Sequence, residues 1–301
     1  MSGLTFLITV LEFNYLLTQL MNGVVLGMTL VLISLGLSII FGMMGIINFA
    51  HGDILLVGIY VAWSVDKAVN NIVVGIIMGG IATAVLGMLI ERLTLRTTYE
   101  YGPLMQLLLT FGIAEILRGG VKIVWGNTGK SFSVPAWGSG NVDLVIFSYP
   151  IYRLIVVFVS AGLVVATYLL LTRTDIGLII RAGTQNRDMV DALGIDVFKM
   201  FLIVFALGTA LAGIAGGLIG PIYGVNPNVG IELLIPAFVV VIVGGVGSFR
   251  GTIIAGLLIG ELMVLTGLVY SQASSIIIFL FMAIVLLLRP RGLFGERGVM
   301  G

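Results

Sequence analysis

Cysteine is absent from this chain of 301 residues, and histidine occurs once, as His51. Without Cys there is no disulfide framework, thiol nucleophile, zinc knuckle or iron–sulfur site. Charge is scarce too: 10% of residues are Asp, Glu, Lys or Arg, against about 25% in a soluble domain. The net charge of +1, with no aromatic–basic interleaving, gives no sign of a nucleic-acid partner. No Lys or Arg precedes Lys67, so the N-terminus lacks the charged region of a cleavable signal peptide. No nucleophile, metal or acid–base constellation supports an enzyme, and no cofactor is expected. Gly129-Lys130-Ser131 imitates the end of a phosphate-binding loop, but that loop needs a glycine at position 124, which is Val124. The chain is not expected to hydrolyse nucleotide itself.

What is present is apolar. Hydrophobic residues make up 59% of the chain, and mean hydropathy is +1.20. Long apolar runs recur along most of its length, which predicts an all-α, polytopic membrane protein in a single domain over residues 1–301. The alternation of a membrane β-barrel is missing, so helices must satisfy the backbone. Forty-two glycines suit close helix packing and unusual dihedrals at helix breaks.

Residues 4–20, interrupted by Glu12, Asn14 and Gln19, read as an interfacial helix rather than a first span. Spans are then predicted at 21–47, 54–65, 70–90, 103–125, 150–171, 198–219, 231–243, 252–268 and 274–288, within a range of about eight to ten. The stretch 54–65 is short for a bilayer, which takes roughly 20 residues to cross. Gly23 and Gly27 form a G-x-x-x-G pair, a helix-packing signal. Glu115, Arg118 and Lys122 share one helix face, where Glu115 and Arg118 can pair. Glu261 is a lone acid in an apolar span, facing either a polar cavity or a partner subunit. Residues 126–149 form an outer connector. The Lys/Arg bias places the loops with Arg92 and Arg96, with Arg173, Arg181, Arg187 and Lys199, and the tail with Arg289, Arg291 and Arg297 in the cytoplasm.

Two breaks stand out. The first, Asn48-Phe49-Ala50-His51-Gly52-Asp53, puts ionisable groups between two apolar runs, where they are costly unless paired, hydrated or functional. A plain turn, with Asp53 capping the next helix, is the alternative. The second, Gly244-Gly245-Val246-Gly247-Ser248-Phe249-Arg250-Gly251, can be laid over the first, with His51 on Arg250 and Gly45 on Gly244. Such a pairing fits transporters built from related halves with broken helices. Between them, residues 172–197 are the most charged segment. From Leu178 they read as a short amphipathic helix, a polar bend and a second helix ending near Gly194, which suits docking on a soluble partner.

Three motifs carry a resemblance to the permease subunits of branched-chain amino acid ABC importers. They are Gly45-Ile46-Ile47-Asn48-Phe49-Ala50-His51-Gly52-Asp53, the 177–197 segment with Arg181-Ala182 and Ala192-Leu193-Gly194-Ile195, and Gly244-Gly245-Val246-Gly247-Ser248 with Gly251. The third is shared with sugar (ribose-type) and urea permeases. Gly183 departs from the family, which more often has Ala there.

The resemblance implies a membrane-embedded permease in a prokaryotic inner membrane with a cytoplasmic C-terminus. Its partners would be two cytoplasmic ATPases, a second homologous permease and a periplasmic or extracellular binding protein delivering leucine, isoleucine or valine. It implies coupling residues at Arg181, Ala182, Gly183, Asn186, Asp191, Ala192 and Gly194. Asn48, His51, Gly52, Asp53, Gly244, Gly245, Gly247 and Ser248 would line or hinge the pathway. Two rivals stay open: an ABC permease for urea, a sugar or another amino acid, and an ion-coupled secondary transporter using His51, Asp53 or Glu115.

Overall fold

A computed structural model describes residues 3–144 and 147–295; Arg297 of the basic tail lies outside them. It is helical almost throughout. Two short amphipathic helices, α6 (Asp175–Gln185) and α7 (Arg187–Ala192), sit among nine longer ones. These are α1 (Gly3–Met44), α2 (His51–Val69), α3 (Ile72–Leu93), α4 (Pro103–Trp125), α5 (Ile151–Arg173), α8 (Val197–Tyr223), α9 (Val229–Gly244), α10 (Phe249–Val269) and α11 (Ser274–Leu288). Among the described residues, six helices are long and apolar enough to cross a membrane. Of the other three, α2 and α4 have the length, at 19 and 23 residues, but carry Asp53, Asp66 and Lys67, and Glu115, Arg118 and Lys122. At 16 residues, α9 is about 24 Å long, short of a bilayer core.

The boundaries follow from local chemistry. Asn70 takes a left-handed conformation (φ 50°) to end α2, and Asn71 opens α3 by accepting the Val73 and Val74 N–H groups at its Oδ1. Gly102 (φ 81°) followed by Pro103 starts α4. Positive-φ glycines also end α1, α4, α8 and α9, at Gly45, Gly126, Gly224 and Gly245.

Two expectations are corrected here, and the connector gains detail. Residues 4–20 form no separate interfacial element, because α1 continues unbroken through Asn14 and Gln19. The short stretch 54–65 belongs to a full helix that already begins at His51. The 126–149 connector holds the first strand of a hairpin, β1 (Asn141–Leu144) with β2 (Phe147–Pro150), and its Lys130 pairs backbone to backbone with Val225. That extended pairing is no phosphate loop.

The core forms around α8, which packs on α1, α2 and α3 at glycines. A Cβ at Gly36 would lie 2.3 Å from the Gly208 carbonyl oxygen, and one at Gly58 2.6 Å from the Gly213 Cα. The Gly23/Gly27 pair meets a second one, Gly256/Gly260, in α10: a Cβ at Gly260 would stand 2.4 Å from the Gly27 Cα. Backbones at that distance leave no room for a side chain. Gly260→Val is therefore expected to part α1 from α10 and lower the melting temperature of the purified protein by several degrees, whereas Gly267→Ala, with only Ser274 Cβ at 3.9 Å, leaves it unchanged. Glu261 lies in the same seam, its carboxylate against Gly23, with Oε2 buried and unpartnered among the described residues.

Candidate functional site: two helix breaks at one seam

After Gly45 (φ 68°) the chain doubles back. The Ala50 N–H donates to Asn48 Oδ1 (3.1 Å), the His51 N–H reaches the Asn48 carbonyl (3.3 Å), and α2 begins. The Phe49 N–H is taken by Thr110 Oγ1 at 3.2 Å, which ties the turn to α4. Asp53 does not cap the helix. His51 Nε2 lies 3.1 Å from the Ile33 carbonyl, eleven residues before the end of α1, so α2 starts about 16 Å inside that end. The first break is thus a helix that begins alongside α1 rather than beyond its end.

The second break is its neighbour. Gly245 (φ 100°) and Gly247 (φ 73°) end α9, and Ser248 Oγ accepts the Gly251 N–H at 3.1 Å to open α10. The structural match to Gly45 is Gly245, one residue beyond the Gly244 aligned from sequence, since Gly244 is still helical. A Cβ at Gly42 would meet the Gly247 Cα at 3.0 Å, and one at Gly52 the Gly230 carbonyl oxygen at 2.3 Å. The rings of Phe49 and Phe238 lie 5.2 Å apart. The end of α9 therefore meets the end of α1, and the start of α9 meets the start of α2.

At the first break the charges form one network. Asp53 is fully buried and accepts both arms of the Arg118 guanidinium, Nε at 3.0 Å and Nη2 at 2.8 Å. The predicted Glu115–Arg118 pair forms as well, at 3.0 Å, with Glu115 half exposed. Lys122 is exposed on the same helix. Asn48 and His51 are also fully buried. Of the eight candidate pathway residues, Gly247 is exposed and Ser248 partly so; Asn48, His51, Gly52, Asp53, Gly244 and Gly245 are buried.

The α6–α7 segment lies under this seam. Thr174 caps α6, so that helix begins at Asp175, three residues earlier than expected; Asn186 caps α7, and Gly194 (φ 79°) stops it. Gly177, Ile180 and Gly183 face inward. A Cβ at Gly183 would lie 2.9 Å from Met43 Cε, while Thr184 Cγ2 stands 3.7 Å from one at Gly42. Arg181, Ala182, Asn186, Asp191, Ala192 and Gly194 face outward beside the exposed apolar side chains of Ile176, Leu178, Met189 and Leu193.

The sequence has known relatives. The family described as "Branched-chain amino acid transport system / permease component" matches residues 19–287. The chain belongs to this permease family. It is 29% identical to the high-affinity branched-chain amino acid transport system permease LivH of Salmonella typhimurium, over 95% of this chain and 97% of LivH. Identity to BraD of Pseudomonas aeruginosa is 30% with the same coverage, and to the probable LivH of Methanocaldococcus jannaschii 32% over 88% of each chain. No solved structure matches it.

Three features of the permease were not read from its sequence. Glu91, fully buried, accepts from Tyr99 Oη (2.8 Å) and pairs with Arg96, which lies over the Phe198 ring at 5.2 Å. This cluster holds the first turn of α8 just after α7. That turn is capped by Asp196, whose exposed carboxyl the Lys199 backbone N–H holds below the usual carboxylate range. Next, the tail folds back: the Leu293 and Phe294 N–H groups donate to the Val243 and Gly244 carbonyls, capping α9. Finally, α9 presents Glu232 on an exposed face with Ile231 and Ile235. Glu115 and Glu232 are legible as charges in apolar runs; their exposure is not.

Proposed function

We propose that this chain is the membrane-spanning permease of an ATP-driven importer of leucine, isoleucine and valine, in a prokaryotic inner membrane with its C-terminus in the cytoplasm. Two ATPase subunits dock on the outward residues Arg181, Ala182, Asn186, Asp191, Ala192 and Gly194. A homologous permease covers the exposed carboxylates Glu115 of α4 and Glu232 of α9, because such groups on membrane helices call for protein or water rather than lipid. A binding protein delivers substrate at the other end. The carrying observation is the seating of α6 on the last turn of α1, Gly183 against Met43 and Thr184 against Gly42, where Gly42 in turn packs on Gly247 of the second break. A push on α6 is passed through Met43 and Gly42, at the end of α1, to Gly247.

A secondary transporter coupled through Asp53 is disfavoured, because Arg118 already matches that charge with two hydrogen bonds. Affinity purification of the tagged permease from native membranes should recover two ATPases and a second permease. Recovery of this chain alone, transporting leucine on an ion gradient without ATP, would sink the proposal. Uptake of labelled leucine, ribose and urea by the assembled complex separates the amino-acid reading from the other ABC substrates. Arg181→Glu is expected to abolish uptake while membrane insertion stays normal; normal uptake by that variant would remove the docking role of α6.

A further inference from the structure

The turn that opens α2 holds two buried polar atoms with no hydrogen-bond partner among the described residues, Asn48 Nδ2 and His51 Nδ1. Each has a defined character. Asn48 Oδ1 is already occupied by the Ala50 N–H, which fixes the amide so that its free end is a donor. His51 Nε2 faces the Ile33 carbonyl, which can only accept, so Nε2 carries the proton and Nδ1 is a bare acceptor. A fully buried donor and a fully buried acceptor thus stand three residues apart, both unmet. Native proteins rarely leave such groups unpaired without a ligand or water to fill them.

We infer that this turn is the head-group site of the permease, where Asn48 Nδ2 donates to the carboxylate of a transported amino acid and His51 Nδ1 accepts from its ammonium group. The inference rests on the amino-acid reading above. A carboxylate only accepts and an ammonium only donates, so a zwitterion meets both orphaned atoms at once. The field agrees: Gly52 and Gly230 bring the first turns of α2 and α9 into contact, and two helix N-termini together favour an anion. The one carboxylate nearby in α2, Asp53, is held by Arg118 and does not oppose the substrate. Leu234, beside Gly52, and the Phe49–Phe238 ring pair are apolar neighbours of the turn, suited to a branched side chain. Both polar residues are fully buried, so the turn as it stands admits no substrate from either end. Parting Gly52 from Gly230 would open it.

The test uses the complex of this chain with its co-purifying subunits, in nanodiscs and without binding protein. Leucine affinity is measured beside 4-methylpentanoate, which lacks the ammonium, and 3-methylbutylamine, which lacks the carboxylate. Either loss should weaken binding by about a hundredfold or more, since each removes a charge-assisted contact and leaves a buried group unmet. Asn48→Asp keeps the acceptor for Ala50 and removes the donor, so leucine binding should fall at least tenfold while 3-methylbutylamine binding does not weaken. His51→Gln keeps a donor for Ile33 and removes Nδ1; it should weaken leucine and spare 4-methylpentanoate. If both variants bind leucine within twofold of wild type, or if wild type binds the two truncated probes as well as leucine, the orphaned atoms hold only water and the site is refuted. Uptake of ribose or urea with no response to leucine would instead overturn the amino-acid reading itself.

Discussion

Arg118→Ala is expected to remove transport and to destabilise the protein by about 3–5 kcal/mol, the cost of leaving a fully buried carboxylate without its partner. The reason is geometric as well as electrostatic. Asp53 receives two parallel N–H bonds from one guanidinium, and no other cation among the described residues is bonded to it. Arg118→Lys keeps the charge but loses the fork, so it should recover only part of the loss. Adding Asp53→Asn to Arg118→Ala deletes the stranded charge and should restore much of the melting temperature without restoring transport. Glu115→Gln is the control: its half-exposed pair one turn from Arg118 is worth a few tenths of a kcal/mol at most. Thermal unfolding of the four variants in nanodiscs checks this. Equal melting temperatures for Arg118→Ala and wild type would show that Asp53 is hydrated rather than sealed.

That pair also marks the limit of what the sequence made legible. Long apolar runs each became one long helix, because length and hydropathy are local and the membrane sets both. The α6–α7 segment was legible from its amphipathic pattern from Leu178 on; that Gly177, Ile180 and Gly183 are the residues turned inward was not. Residues 53 and 118 are 65 apart, and no local pattern links them. Arg118 was matched to Glu115 because both lie on one helix, whereas its two-armed contact goes to Asp53. The Glu91–Arg96–Phe198 cluster was hidden likewise, since Phe198 lies in another helix, 102 residues from Arg96. The mistaken breaks have a different origin. Glu12, Asn14 and Gln19 look like an interruption in hydropathy, but polar side chains do not stop a helix unless the backbone is given another partner. Similarly, counting apolar residues started α2 at Ile54, although the helix begins at the histidine that the count had assigned to the loop.

Glycine number was visible from composition, but its meaning differs from site to site, and the second large expected effect turns on that difference. Gly52→Val should abolish transport and lower stability. A Cβ there would sit 2.3 Å from the Gly230 carbonyl oxygen and 2.8 Å from Leu234 Cβ, and neither backbone nor helix can yield locally. Gly230→Val should do the same from the other side, its Cβ lying 2.5 Å from the Gly52 carbonyl oxygen. Overpacking a tight seam costs typically about 1–3 kcal/mol, and here it falls on the contact that joins the starts of α2 and α9. Gly45 is limited by dihedral instead of space: nothing lies within 4 Å of its Cβ position, yet φ is 68°. Gly45→Val should therefore impair the turn, while Gly45→Asn, which tolerates the left-handed region, should retain most activity. At Gly112, helical and with open space, alanine should be neutral. Uptake rates across this set, normalised to the amount of protein in the membrane, distinguish the two kinds of glycine. If Gly52→Val transports as well as Gly112→Ala, the starts of α2 and α9 are not in contact during the cycle, and the seam cannot be the place where the pathway closes.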